Sequence, residues 1–142
     1  MKILEALENL ENRSCSMSEV VDLVNFFKKN EHPETRIRKL LRNLDIPEDS
    51  TGFEYLCTIL FYRIRYNEKH SMDYYYSELA VHLKMEKKYV QNQIRHAIQT
   101  GSKSINFLSY TDRIGGSSFI QTQKFVDSIS DFYKLLEFLA TN

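Results

Sequence analysis

The chain has 142 residues, and its 19 lysines and arginines balance its 19 aspartates and glutamates, so the formal net charge is zero. This length fits one domain, and a hydrophobic content of 42% is enough for one core, which excludes a chain that is disordered throughout. Zero net charge argues against a generic nucleic-acid coat protein, which would be basic overall. The charge is nevertheless uneven: residues 1–34 carry four basic and seven acidic side chains, and residues 35–142 carry fifteen and twelve.

Two cysteines and four histidines are too few, and too irregularly spaced, for a disulfide framework or a metal site. The first ten residues contain two glutamates in place of the apolar stretch of a signal peptide. No apolar run approaches the roughly 20 residues of a membrane span. We therefore expect a cytoplasmic chain with no cofactor, no metal and no membrane partner. No catalytic arrangement can be assigned, which predicts that the chain is not an enzyme.

Apolar residues recur with helical periodicity between the few glycines and prolines. The predicted helices cover residues near 3–10, 20–27, 34–44, 52–64, 73–83, 87–100, 104–108 and 123–140. Ser16 and Glu19 have the spacing of a capping box, Pro33 suits the first turn of a helix, and Asp73 suits a helix cap. The pattern predicts an all-α, compact multi-helix bundle with one or two extra N-terminal helices.

Residues 76–98 have the pattern of a helix-turn-helix: a short helix, a tight break near Met85 and a second helix. The small side chain of Ala80 would allow the second helix to approach closely. Lys84 stands where a turn glycine is common. The apolar residues expected to lock the two helices together are Leu79, Leu83, Met85 and Val90.

The outer face of the second predicted helix suits DNA, because arginine pairs with guanine and asparagine or glutamine pairs with adenine. Between residues 84 and 103 there are five lysines and arginines and one acidic residue. The alternative is an ordinary solvated helix face, but the presence of polar amides in place of acidic residues favours a DNA-binding surface. The residues predicted to read bases are Gln91, Asn92 and Arg95, and those predicted to hold phosphates are Lys84, Lys87, Lys88 and Lys103.

Four segments, in order and at matching separations, resemble the DNA-binding effector domain of the stage zero sporulation protein A family. They are IRKLLRNLDIP at 37–47, GFEYL at 52–56, YSELA at 76–80 and IRHAI at 94–98. The resemblance spans about residues 35 to 136. It implies a six-helix bundle whose helix-turn-helix binds a short G-containing box in double-stranded DNA, often as a tandem pair, and regulates transcription during sporulation.

The resemblance also assigns roles to single residues of the second helix. Arg95 falls on an arginine that contacts bases, and Gln91 falls on a glutamate of the recognition helix. His96 falls on a histidine there, which places it near the DNA. Lys87 and Lys88 fall at the start of that helix, near the DNA backbone.

Two positions depart from the family, and the region before residue 35 differs as a whole. Asn92 stands where the family has a second base-reading arginine, and Asp45 replaces a glycine before Ile46. The family's regulator carries a phosphoacceptor receiver domain, whereas residues 1–34 show no alternation of strands and helices. We therefore expect domain limits of 1–34 for a helical extension and 35–142 for the DNA-binding domain, without a phosphorylation switch.

The extension would pack on the domain, dimerise or bind another regulator, and a helical apolar stripe favours the first two. The leading function is a sequence-specific transcription regulator that binds as a homodimer or in tandem. In the family, the segment after residue 98 neighbours the surface that touches RNA polymerase, which makes the polymerase another possible partner. The rival is a protein-interaction module that antagonises or co-assembles with a full-length regulator.

Two further clusters have open interpretations. The first holds Arg36, Arg38, Lys39 and Arg42, and it is either a solvated helix face or a second phosphate-contact patch. The second is the run Tyr74, Tyr75 and Tyr76. At least Tyr76 is expected in the core, and an exposed neighbour is available for phosphate or a partner.

Cys57 lies in an apolar run and is expected to be a reduced core cysteine.

Overall fold

The structure, a computed structural model, describes residues 17–101 and 122–141, and all regular elements in these ranges are helices. The all-α class is therefore confirmed. The predicted helices near 3–10 and 104–108, and Lys103, lie outside the described residues. The six described helices are α1 (Met17–Lys29), α2 (Pro33–Asn43), α3 (Thr51–Tyr66), α4 (Met72–Leu83), α5 (Lys87–Gly101) and α6 (Thr122–Thr141).

Side-chain caps fix the starts of three helices. The Oγ of Ser50 accepts a hydrogen bond from the amide of Phe53 at the start of α3, at 3.2 Å. His32 caps α2 through its ring Nδ1, and Pro33 follows as the first helical residue. The expected cap of α4 was wrong: Ser71 caps this helix, and Asp73 lies in its first turn. A serine two residues earlier has the free backbone amides of the first turn within reach of its hydroxyl.

The helix α1 packs against α6 and shares the core of the bundle. Its apolar stripe, Val20, Leu23 and Phe27, is buried, and the ring of Phe27 lies 5.1 Å from that of Tyr133 on α6. Burial of such side chains is worth about 1.5–3 kcal/mol each. Within the N-terminal extension, α1 therefore packs on the rest of the bundle, one of the three outcomes that the sequence left open.

Arg36 connects the first helix to the second, because it hydrogen-bonds the last turn of α1 from a buried position on α2. Its side chain is 8% exposed and donates hydrogen bonds to the backbone oxygens of Phe27, at 2.6 Å, and Asn30, at 2.5 Å. It also pairs with Glu137 on α6 at 3.3 Å. These carbonyls have no partner within α1, and a cation at a helix C-terminus is favoured by the helix dipole. One guanidinium thus joins three helices.

An ion pair between a buried arginine and a half-buried aspartate joins α3 to α6. The Nη1 of Arg63, a side chain that is 6% exposed, lies 2.7 Å from the Oδ1 of Asp127. Removing the Asp127 carboxylate would leave the buried charge of Arg63 uncompensated, which is destabilising.

The turn that ends α2 contains a residue in the left-handed region. Asp45 has φ of 58°, a conformation that favours glycine, and its amide donates to the oxygen of Arg42 at 2.9 Å. The position at which the resemblance expects glycine therefore has a glycine-type backbone. Aspartate tolerates this conformation better than most residues, which explains how it is accommodated here.

Gly52 allows α5 to lie directly against the first turn of α3. A Cβ atom added to Gly52 would lie 2.7 Å from the Cβ of Ala97 and closer still to the carbonyl oxygen of Gln93. Real Cβ atoms do not approach other atoms so closely, so a larger residue at position 52 would push the two helices apart. The contact between α3 and α5 therefore depends on the absence of a side chain.

We expect Gly52→Ala to lower the free energy of unfolding by about 1–3 kcal/mol, although alanine has the higher helix propensity. The loss comes from the clash with Ala97 and with backbone that cannot move alone. Urea denaturation followed by circular dichroism measures it. Thr51→Ala, at the exposed neighbouring position, is the control and should change stability by less than about 0.5 kcal/mol. Equal stability of the two variants would show that α5 does not depend on this glycine.

We expect Arg36→Met to cost about 3 kcal/mol of stability, because it removes the donor to the carbonyl of Phe27 in the last turn of α1 and to that of Asn30 just after it, while keeping the length of the side chain. Arg42→Met removes the same charge from the exposed face of α2, where the arginine lies 3.9 Å from Glu48. This control should cost about 0.5 kcal/mol or less. Chemical denaturation of both variants tests the difference, and similar losses would contradict a capping role for Arg36.

Candidate nucleic-acid interface

A three-residue connection, 84–86, links α4 to α5. Lys84 has φ of 55° and ψ of 48°, the left-handed conformation that commonly ends a helix. The amide of Met85 donates to the oxygen of Ala80 at 3.0 Å, which satisfies a carbonyl at the end of α4. Lys84 therefore has the backbone conformation that is typical of a glycine at the end of a helix, as expected for this position. A lysine here adopts a conformation that costs about 1–2 kcal/mol for a residue with a Cβ.

The contact between α4 and α5 is made by fewer residues than the sequence suggested. Ala80 and Val90 are buried as expected. Leu83 and Met85, which were expected to lock the helices, are 45% and 44% exposed. The left-handed residue between them turns the chain away from the core. Met85 is held at the surface by the hydroxyl of Tyr55, which lies 3.1 Å from its sulfur.

The solvent face of α5 carries the residues predicted to read bases. Asn92 and Arg95 are exposed and lie three residues apart, which places them on one face. His96 is exposed beside them, whereas Gln91 is half-buried at the edge of this face. The opposite side of α5 is buried through Val90, Ile94, Ala97 and Ile98. No aspartate or glutamate occurs among the 15 residues of α5.

Arg95 projects from α5 near the hydroxyl of Tyr76 on α4. Burial raises the pKa of the Tyr76 phenol, while a hydrogen bond from Thr122 and the charge of Arg95 lower it. Among the described residues Arg95 forms no ion pair with a carboxylate. Arg95 is exposed, so its guanidinium is open to a partner in solvent. Tyr76 itself is buried, as expected.

The lysines around this face differ in their partners. Lys84 and Lys88 are exposed, at the turn and in the first turn of α5. Lys87 instead points to α4, where its Nζ lies 2.5 Å from the Oδ1 of Asp73. An anion that approaches α5 must compete with Asp73 for Lys87. Lys84 and Lys88 have no such competitor among the carboxylates in the described part of the chain.

The basic residues of α2 do not form a second patch of available charge. Arg36 is buried, and Arg38 pairs with Glu34 at 3.2 Å and with Glu54 at 2.7 Å. The hydrogen bonds from Arg38 lower the pKa of the Glu54 carboxyl. Lys39 lies 5.4 Å from the centre of the Phe26 ring. These contacts disfavour the interpretation as a phosphate-contact patch.

Other chemistry finds little support in residues 17–101 and 122–141. No three histidine, cysteine, aspartate or glutamate side chains come together there as metal ligands. Burial raises the pKa of the Cys57 thiol to about 12, so this core cysteine stays protonated. None of the helices in these ranges combines the length and the apolarity needed to cross a bilayer.

The fold and the face of α5 can be compared with known proteins. Neither the protein-family models, nor the curated proteins, nor the solved structures give a match to this chain. The resemblance to the sporulation regulator family therefore stays a prediction from the four sequence segments.

Proposed function

We propose that the chain is a sequence-specific, DNA-binding transcription regulator whose helix α5 enters the major groove. The observation that carries this proposal is the solvent face of α5, where Asn92 and Arg95 are exposed on a helix without acidic residues. These two side chains would contact base edges, with Gln91 and His96 beside them. Phosphates would be held by the lysines at the start of the helix and at Lys103.

The geometry of the helix suits this role. An α-helix with its side chains is about 10–12 Å wide, and the major groove of B-DNA is about 12 Å wide. The buried side of α5 rests on α3 and α4, so its exposed side is held in a fixed orientation. A recognition helix whose backbone is already in place loses no backbone entropy on binding, which favours affinity.

Two copies of the chain on adjacent half-sites would bind DNA more tightly than one copy. One helix in one groove buries a small surface, and helix-turn-helix proteins commonly bind as pairs at adjacent half-sites. We therefore propose that the chain binds DNA in the cytoplasm as a homodimer or in tandem. Its sites would be promoters that contain the short G-containing box implied by the resemblance to the sporulation regulator family. RNA polymerase is the further partner that this resemblance suggests.

A second function, a protein-interaction module, is favoured by the connection between α4 and α5. All nine residues from 81 to 89 are exposed. Three of the large apolar side chains among them are Val81, which is 73% exposed, Leu83 and Tyr89. Exposed apolar groups that lie close together often mark protein contacts. This module would antagonise or co-assemble with a full-length regulator.

We expect Arg95→Ala to reduce the preference for a family-type G-containing duplex over a scrambled duplex by about ten-fold or more, since an arginine–guanine pair is worth about 1–3 kcal/mol. Fluorescence anisotropy over a salt series measures both affinities. Arg65→Ala, which removes the same charge from the last turn of α3, should leave the preference unchanged. Wild-type affinity should fall steeply with salt because phosphate contacts release counterions.

The outcome separates the two functions. Absence of binding to either duplex at low salt would contradict the DNA-binding proposal. Capture of a full-length sporulation regulator by the same preparation would then support the interaction module.

We expect Asp73→Asn to strengthen binding to both duplexes by about two-fold to five-fold, because Lys87 loses its carboxylate partner and becomes available to phosphate. The slope of log affinity against log salt should steepen by about 0.9 for one added phosphate contact. Asp131→Asn, an exposed change on α6, controls for the loss of one negative charge. Equal effects of the two variants would show that Lys87 does not reach the DNA.

A further inference from the structure

A groove of about 240 Å³ lies between α3 and α4 and is separate from the face of α5. Tyr75 and Leu79 contribute apolar surface from α4, whereas the buried Tyr76 and Ala80 are not among the lining residues. Ile59 on α3 contributes apolar surface from the other wall. The groove is open to solvent, so a group can enter it without any movement of the helices.

Three tyrosines form a corner in this groove. The ring of Tyr75 stands at 74° to the rings of both Tyr62 and Tyr74, with centroids 6.4 Å and 5.5 Å away. Tyr74 is 36% exposed, and His70 stacks on its ring at 4.0 Å. The face of an aromatic ring is electron-rich and attracts an organic cation that comes within about 6 Å of its centroid, and three such rings line this groove.

A carboxylate gives the lining of the groove negative charge. Glu78 is half-exposed and contributes the one carboxylate of the lining, and no lysine or arginine is among the lining residues. His82 lies 3.4 Å from Glu78, an interaction that carries charge only when the imidazole is protonated. Electron-rich rings beside a carboxylate complement a positive ligand and disfavour an anion such as a phosphate.

We propose that this groove binds the side chain of an arginine from a partner polypeptide. The volume is below the roughly 300–1,000 Å³ of sites for drug-sized molecules, so it suits one side chain. The aliphatic stem would lie on Ile59 and Leu79, the guanidinium would stack on the tyrosines, and its N–H groups would donate to Glu78. A quaternary ammonium has no N–H group and cannot donate a hydrogen bond to Glu78.

This groove does not involve the DNA-reading residues, so its function is independent of DNA binding. Each of the two proposals can fail while the other holds. Tyrosine and arginine are also the residues most often found at the energetic centres of protein interfaces.

The test is an NMR titration of the ¹⁵N-labelled full chain with the blocked tripeptide Ala-Arg-Ala. We expect saturable shifts at the amides of Thr58, Tyr62 and Leu79, with a Kd on the order of 1–10 mM. The tripeptide Ala-Lys-Ala and choline should bind at least about three-fold more weakly, because neither forms a forked pair with Glu78. Equal or tighter binding of choline would overturn the arginine assignment.

Two variants locate the site. Glu78→Gln and Tyr74→Leu should each weaken the tripeptide by about three-fold to ten-fold, since they remove the carboxylate and an exposed ring. Glu86→Gln, an exposed glutamate in the connection to α5, should leave the affinity unchanged. Unperturbed spectra away from the groove verify that each variant is folded. No saturable shift with wild type, or an equal loss with Glu86→Gln, would overturn the proposal.

Discussion

The close approach of α3 and α5 at Gly52 is the constraint on which the rest of the site depends. It fixes which side of α5 faces the core, and therefore which side faces solvent. A helix rotates by about 100° per residue, so a change of register by one residue would turn Arg95 toward the edge of the exposed face. The outward position of Arg95 is thus a consequence of a missing side chain on another helix.

The arginines of this chain are divided between structure and surface. Arg36 and Arg63 are buried, where carbonyls of α1 and the carboxylate of Asp127 compensate their charge. Arg38 is held by two glutamates on the surface. A count of the fifteen basic residues in 35–142 therefore overstates the number that a partner would meet. Four exposed basic residues, Lys84, Lys87, Lys88 and Arg95, lie at the turn before α5 and along α5, and Lys87 is available to a partner only after leaving Asp73.

The sequence predicted the helices well because their signals are local. Apolar spacing located α5 as 87–100 and α6 as 123–140, against Lys87–Gly101 and Thr122–Thr141 in the structure. The capping serine of α4 was missed, since Ser71 and Asp73 are both good caps and only the backbone geometry selects between them. Burial of Arg36 was not predictable, because its acceptors on α1 are defined by tertiary packing. The exposure of Met85 was also not predicted, because it depends on the left-handed backbone conformation of Lys84.

The packing of α1 on α6 brings together segments that are about a hundred positions apart, as the contact between the rings of Phe27 and Tyr133 illustrates. Closing such a long loop costs more entropy than forming the local contacts within helices. We therefore expect the contact between α1 and α6 to form late in folding. A fragment that began at residue 35, where the family resemblance begins, would lack Val20, Leu23 and Phe27. The apolar side of α6 would then face water, and the fragment would tend to self-associate in a way unrelated to any interface of the intact chain.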